Sequence, residues 1–243
     1  RLIDHTFLMN RAPIVAIDGP AGAGKSTVTK LFAQKMGLLY LDTGAMYRAV
    51  TWFIQARKIE THDEENIKKA INDLNLEMRL TTEGDQQVFV NGKDLSHEIR
   101  SPEVTSKVSI IAAQNGVRVK MTNLQKEIGL QGGIVAEGRD IGTTIFPNAE
   151  LKIFLTATPE ERAKRRAIDL KNRGFFVPDL KEIEAQIKER DELDSNRKIS
   201  PLIKAADAKE LLTDGMSINE VIESIVEIFR FKVPEEIWPT PQI

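Results

Sequence analysis

Apolar side chains recur along this chain in two rhythms. Unbroken runs at Ile14-Val15-Ala16-Ile17, Leu38-Leu39-Tyr40-Leu41 and Ile134-Val135-Ala136, with Leu151-Lys152-Ile153-Phe154-Leu155, have the length of strands buried on both faces. Val28, Leu31, Phe32 and Met36 instead recur at helical spacing, as do Met46, Val50, Phe53 and Ile54 within 45–57. Gly37 is placed to end the first of these helices, and Thr61 or Asp63 to cap a third through Ile67, Ile71 and Leu74. The order β-α-β-α predicts a parallel sheet.

At 76–95 the rhythm changes. Leu76-Glu77-Met78-Arg79-Leu80 and Val88-Phe89-Val90 alternate in and out, separated by Glu83-Gly84-Asp85 and followed by Asn91-Gly92, which predicts a small antiparallel meander inserted into the parallel fold. Helical stretches at 103–113 and 117–128 then lead through Gly132-Gly133 to the strand at Ile134, short enough to be central. Pro159 suits the first turn of a helix running towards Lys171, 179–193 is amphipathic, and 207–213 is a last short strand. Ser217 caps a C-terminal helix through Val221, Ile225 and Phe229, which the three prolines of 233–243 cannot continue. No internal repeat is visible.

Composition narrows the classes of function. At 243 residues, 41% hydrophobic and 29% charged, the chain has the make-up of a soluble globular protein, with length for one core carrying insertions. Its 34 basic and 36 acidic side chains leave a net charge of −2, so no overall field recruits nucleic acid or a membrane surface. The absence of cysteine removes disulfides, thiolate zinc sites and cysteine nucleophiles. No apolar stretch approaches membrane length and no signal pattern opens the chain, so the cytoplasm is the expected compartment. The mixed segment 1–11, which begins with Arg1, has no period before Pro13 and reads as a linker or the edge of a fragment.

The first strand breaks into Asp18-Gly19-Pro20-Ala21-Gly22-Ala23-Gly24-Lys25-Ser26-Thr27, which fits G-x-x-x-x-G-K-[ST] between a strand and a helix. Such a glycine-rich turn points consecutive N–H groups inward at a helix N-terminus, where the dipole favours anions. Polyphosphate is its natural occupant, so the residues from Gly19 to Thr27 are the candidate seat for ATP. Lys25 is expected to reach the terminal phosphates, and the Ser26 hydroxyl to ligate the Mg²⁺ ion that travels with the nucleotide. The motif names a donor and no acceptor.

Four further constellations bear on the acceptor. Leu41-Asp42-Thr43-Gly44-Ala45-Met46-Tyr47-Arg48 sets Asp42, Thr43, Tyr47 and Arg48 at the carboxyl end of a strand, the ligand edge of an open α/β sheet. Arg48 suits an anionic acceptor, or is a surface arginine after a capped turn. Ala136-Glu137-Gly138-Arg139-Asp140-Ile141-Gly142-Thr143 follows a buried strand directly. Arg139 suits a phosphate, Asp140 a base or sugar, and Glu137 the magnesium shell, with a structural ion pair as the plain alternative. Arg162, Lys164, Arg165, Arg166 and Arg173 crowd one helix and its exit at Gly174, as a solvated face or as arginines that close over a transferring phosphate. Arg190, Asp194 and Arg197 stand at helical or near-helical spacing.

Taken together, these blocks resemble the bacterial-type cytidylate kinases among the nucleoside monophosphate kinases. The resemblance runs from Ala12 to about Phe231 and rests on the phosphate loop, on Leu41 to Arg48, on Gly138-Arg139-Asp140-Ile141-Gly142-Thr143, and on Lys188-Glu189-Arg190-Asp191 with Arg197. It implies an α/β P-loop kinase fold over 13–231, with a five-stranded parallel sheet, an acceptor-binding insert at about 72–113 and an arginine-bearing lid at about 162–178. It also implies cytosine readers at Ser109, Arg118 and Asp140, sugar readers at Arg190 and Asp194, and a phosphate clamp of Arg48, Arg139 and Arg197. One departure is a proline missing from Gln114-Asn115-Gly116-Val117-Arg118, which bears on the aim of Arg118. The first eleven residues resemble the end of a pantoate–beta-alanine ligase, as if this were one half of a fused enzyme.

The resulting expectation is transfer of the γ-phosphoryl of Mg-ATP to CMP or dCMP, with Lys25, Arg48, Arg139 and Arg166 as the catalytic cations and no nucleic-acid or membrane partner. A kinase of another small acceptor remains open, as does a nucleotide-hydrolysing switch. Against the switch, the chain lacks an Asn-Lys-x-Asp guanine-reading motif, and arginines on several segments suit a second anionic substrate better than water.

Overall fold

The computed structural model describes residues 12–239; the ligase-like segment 1–11 and the last four residues of the proline-bearing tail lie outside them. Five parallel strands form the main sheet: β1 (Ile14–Asp18), β2 (Leu39–Asp42), β6 (Ile134–Gly138), β7 (Leu151–Thr156) and β8 (Lys209–Leu212), in the order β2-β6-β1-β7-β8. The apolar runs are unbroken because both faces are covered. Ile14 and Ala16 of β1, with Ile134 and Ala136 of β6, enter one core, whereas Val15, Ile17 and Val135 enter the other.

The second of these cores is closed by α1 (Lys25–Met36) and α8 (Ile218–Lys232), where Phe32 and Phe229 meet edge to face with centroids 5.9 Å apart. Gly37 ends α1 in the left-handed conformation, and Ser217 starts α8 with a reciprocal capping box to Glu220. The first core is closed by α2 (Thr43–Ala56), α3 (Glu64–Ala70), α4 (Pro102–Ala112) and α5 (Asn115–Ile128). It also takes in Leu76, Val88 and Val90 of the expected meander, seen as β3 (Leu76–Leu80), β4 (Gln86–Val90) and β5 (Lys93–Asp94) in antiparallel order. A third, smaller core of Ala163, Leu170, Ile183 and Ile187 joins α6 (Pro159–Asn172) to α7 (Leu180–Asn196).

Differences from the sequence reading sit at element ends. Helix α2 begins two residues early because the Asp42 carboxylate accepts from the Ala45 N–H at 2.9 Å, making Asp42 the cap. Asp63 caps α3, which stops at Ala70 and tightens into a 3-10 turn at Ile71–Asp73 instead of running on to Leu74. The segment after β6 is a π-helical turn, Ile141–Ile145, held by Asp18, whose carboxylate accepts from the N–H groups of Ile141 and Gly142 at 2.9 and 2.8 Å. A short 3-10 turn at Glu98–Arg100 was not anticipated either.

Truncation of Phe229 to alanine removes a fully buried ring from the second core and is expected to cost roughly 3–5 kcal/mol of stability. Denaturant unfolding measures it, and a loss under about 1 kcal/mol would contradict this packing.

Candidate active site

The phosphate loop, the block from Asp42 to Arg48 and the block from Gly138 to Thr143 follow the carboxyl ends of β1, β2 and β6. The phosphate loop turns there through Gly22 and Gly24, both left-handed at φ 73° and 78°, where a side chain would be strained. Lys25, buried at the start of α1, donates to the Pro20 carbonyl at 2.7 Å. The loop is braced from outside. Asp191 accepts from the Ala21 N–H at 3.0 Å, Arg162 donates to the Ala21 carbonyl at 3.0 Å and pairs with Asp191, and Arg165 donates to the Ala23 carbonyl at 3.1 Å. Of the helix arginines read as closing over a phosphate, Arg162 and Arg165 are therefore tied into the donor loop's backbone. Arg173 and Arg166 both pair with Asp169, Lys164 is exposed, and Arg166 also reaches Thr105 of α4.

Across the cleft, Arg48 and Arg166 converge on one hydroxyl, Thr105 Oγ1, at 2.6 and 3.2 Å. Arg100 reaches from the Glu98–Arg100 turn to Asp42 at 2.6 Å. Burial raises the Asp42 pKa, but Arg100 outweighs it and holds the carboxyl below its usual range. Thr43 donates to the Glu137 carbonyl at 2.6 Å, so the first turn of α2 is fastened to β6. Arg139 donates to Asp194 at 3.0 Å, Arg197 lies 3.8 Å from the other Asp194 oxygen, and the Ser109 hydroxyl faces the same carboxylate. The Arg197 guanidinium also donates to the Ser200 carbonyl, with Nη2 at 2.6 Å. Arg118 and Asp140, each 2% exposed, pair at 2.8 Å, and the Arg118 guanidinium lies 4.8 Å over the Tyr47 ring. In this chain, which lacks that proline, Arg118 aims at Asp140.

Charge dominates this cleft. Burial lowers the Lys25 pKa to about 7, aided by Arg139 and Arg190. Burial likewise lowers Arg190 to about 10, and pushes Arg48 down with help from Arg190, Arg100 and Arg166. These are cations held among cations, the condition a polyanion relieves. Glu137 is pushed up to about 7 by burial and by Asp42; Tyr40 donates to its Oε1 at 2.6 Å, its Oε2 has no hydrogen-bond partner, and the Ser26 hydroxyl lies close. An orphaned carboxylate oxygen beside a hydroxyl fits a magnesium ion. Among the described residues no cluster of three or more His, Asp or Glu could hold a metal, so the nucleotide's own phosphates would complete the coordination.

A family model described as cytidylate kinase matches residues 15–231. The chain belongs to the cytidylate kinase family. Similar curated proteins are each named bifunctional pantoate ligase/cytidylate kinase: one from a Prochlorococcus marinus strain is 65% identical over 240 residues, covering 99% of this chain and 46% of its own. Another from Prochlorococcus marinus (strain MIT 9303) is 62% identical over 99% of this chain and 49% of its own, and one from Synechococcus sp. (strain CC9605) 61% over 99% and 50%. The chain thus spans about half the length of the curated relatives it matches. Within this cytidylate kinase family chain, sequence reasoning missed Asp18, Arg100, Thr105 and Asp191 as organisers of the cleft. Asp18 and Asp191 stood inside quoted motifs, but Arg100 and Thr105 lie in stretches whose sequence carries no signal.

The Lys25 shift has a measurable sign. With an empty-site pKa of about 7, Lys25 is mostly neutral at pH 8, and an incoming polyphosphate favours its charged form. ATP binding at pH 8 is expected to take up about one proton, read by calorimetry in buffers of different ionisation enthalpy. The uptake should vanish in Lys25→Ala.

Proposed function

We propose that this chain transfers the γ-phosphoryl of ATP, bound with Mg²⁺, to the 5′-phosphate of CMP or dCMP, giving ADP and CDP or dCDP. The observation that carries it is the fully buried Arg118–Asp140 pair beside Tyr47, with the Arg197 guanidinium close to all three. A buried guanidinium and carboxylate offer donors and acceptors to a flat polar edge, and a base that leaves them unpaired is penalised.

In the reaction an oxygen of the acceptor phosphate attacks the γ-phosphorus while the bond to the β-phosphate oxygen breaks. The acceptor oxygen is already anionic, so no general base is needed. Approach of two anions is the obstacle. The loop N–H groups and Lys25 hold the donor, Arg48, Arg139 and Arg197 hold the acceptor phosphate, and Arg166 stands between. Magnesium, held through Ser26 and Glu137, would supply neutralisation of charge on the donor phosphates. Ser109 faces the base and Arg190 with Asp194 the sugar. The segment at about 162–178, continuing from the braced part of α6, serves as the lid that excludes water, and the insert at about 72–113 carries the acceptor.

The compartment this reading gives is the cytoplasm; no helix among the described residues is long and apolar enough to cross a membrane. By the naming of its relatives, we infer that the kinase works fused to an upstream pantoate–beta-alanine ligase.

An ADP-release assay across CMP, dCMP, UMP, AMP and dTMP is expected to favour the cytidine nucleotides, and equal rates with AMP would overturn the reading. Lys25→Ala and Arg139→Ala should each lose roughly 10³-fold in turnover with the circular dichroism spectrum unchanged.

A further inference from the structure

Helix α5 presents Val117, Arg118, Met121 and Gln125 to the interior. Val117 and Met121 pack in the core beside α2, and Arg118 pairs with Asp140. Gln125, two turns beyond Arg118 on the same face, is fully buried, yet neither its Oε1 nor its Nε2 has a hydrogen-bond partner. A leucine or methionine would fill this position without stranding an amide, so an unpaired glutamine needs a reason.

Two other orphans lie beside it. The Tyr47 hydroxyl is buried and unpaired, and the Gln125 amide faces it; Arg118 Nε, on the guanidinium above the Tyr47 ring, is also unpaired. Unsatisfied groups therefore run from Gln125 through Tyr47 to the Arg118 side chain of the buried ion pair. The Gln125 amide and the Arg118 guanidinium thus share the Tyr47 side chain as neighbour.

Resting on the function proposed above, we infer that Gln125 is a positioning residue for acceptor recognition. On acceptor binding the Gln125 amide closes a hydrogen bond with the Tyr47 hydroxyl, which fixes the ring beneath Arg118 and so aims the Arg118–Asp140 pair at the base. Gln125 itself does not touch the acceptor. Its role lies in the order Gln125, Tyr47, Arg118, Asp140.

The test is a double-mutant cycle with Gln125→Met, which keeps the volume and removes the amide, and Tyr47→Phe, which removes only the hydroxyl. Each single variant should raise the KM for CMP about three- to tenfold, the range of one net hydrogen bond, with kcat within about twofold. Because both remove the same bond, the double variant should be no worse than either single one. Multiplying effects, or a lowered melting temperature with unchanged KM, would overturn the inference. Should Gln125→Met not fold, Tyr47→Phe alone still decides, since an unchanged KM overturns it. A wild-type chain inactive on CMP would sink the proposed function and this inference together; a wild type active on CMP with independent Tyr47 and Gln125 effects sinks only this inference.

Discussion

The structure is organised by the difficulty of keeping like charges together out of water. Lys25, Arg48, Arg139, Arg166 and Arg190 stand close together; Arg139 pairs with Asp194 and Arg166 with Asp169, while burial and the neighbouring arginines lower Lys25, Arg48 and Arg190. Left alone they repel, and burial compounds the repulsion. The fold tolerates this by spreading the cations over separate elements: the phosphate loop, α2, the turn after β6, α6 and α7. These elements are anchored in three cores, α2 with the turn after β6 in the first, α1 behind the phosphate loop in the second and α6 with α7 in the third, so no single helix has to carry the electrostatic strain.

The anchors are as informative as the cations. Asp18 holds the π-helical turn after β6 through two backbone N–H groups, at the cost of a carboxyl pushed up to about 6 by burial. That turn aims Arg139 and Asp140. Asp42 caps α2 and pairs with Arg100, so the same carboxylate starts a helix and ties the insert to the sheet edge. Thr105 gathers Arg48 from α2 and Arg166 from α6.

Much of this was legible before any coordinates. The strands announced themselves because a parallel sheet buries both faces, and Gly37, Pro159 and Ser217 marked helix ends through backbone geometry that only certain residues suit. The donor site was legible for the same reason: a phosphate loop is a backbone structure with an obligatory sequence. The polar cluster around Arg48 and Arg139 was legible only in its motif-bearing parts. Arg100 and Thr105 act through distance in space, not spacing in sequence, and nothing local distinguishes them from a surface arginine or a helix threonine. Arg162 and Arg165 show the converse, since a run of basic residues could be read as a clamp on phosphate when two of its members brace the loop's carbonyls.

Helix α7 has a double attachment. Asp191 grips the Ala21 amide of the phosphate loop, while Asp194, on the same helix, holds Arg139. The span between the phosphate loop and Arg139 is therefore set by one stiff rod a few residues long, and no hinge intervenes within α7. A descendant of this chain that took a longer or shorter acceptor would have to change the side chains mounted on that rod, because sliding the rod itself would pull the donor loop out of shape.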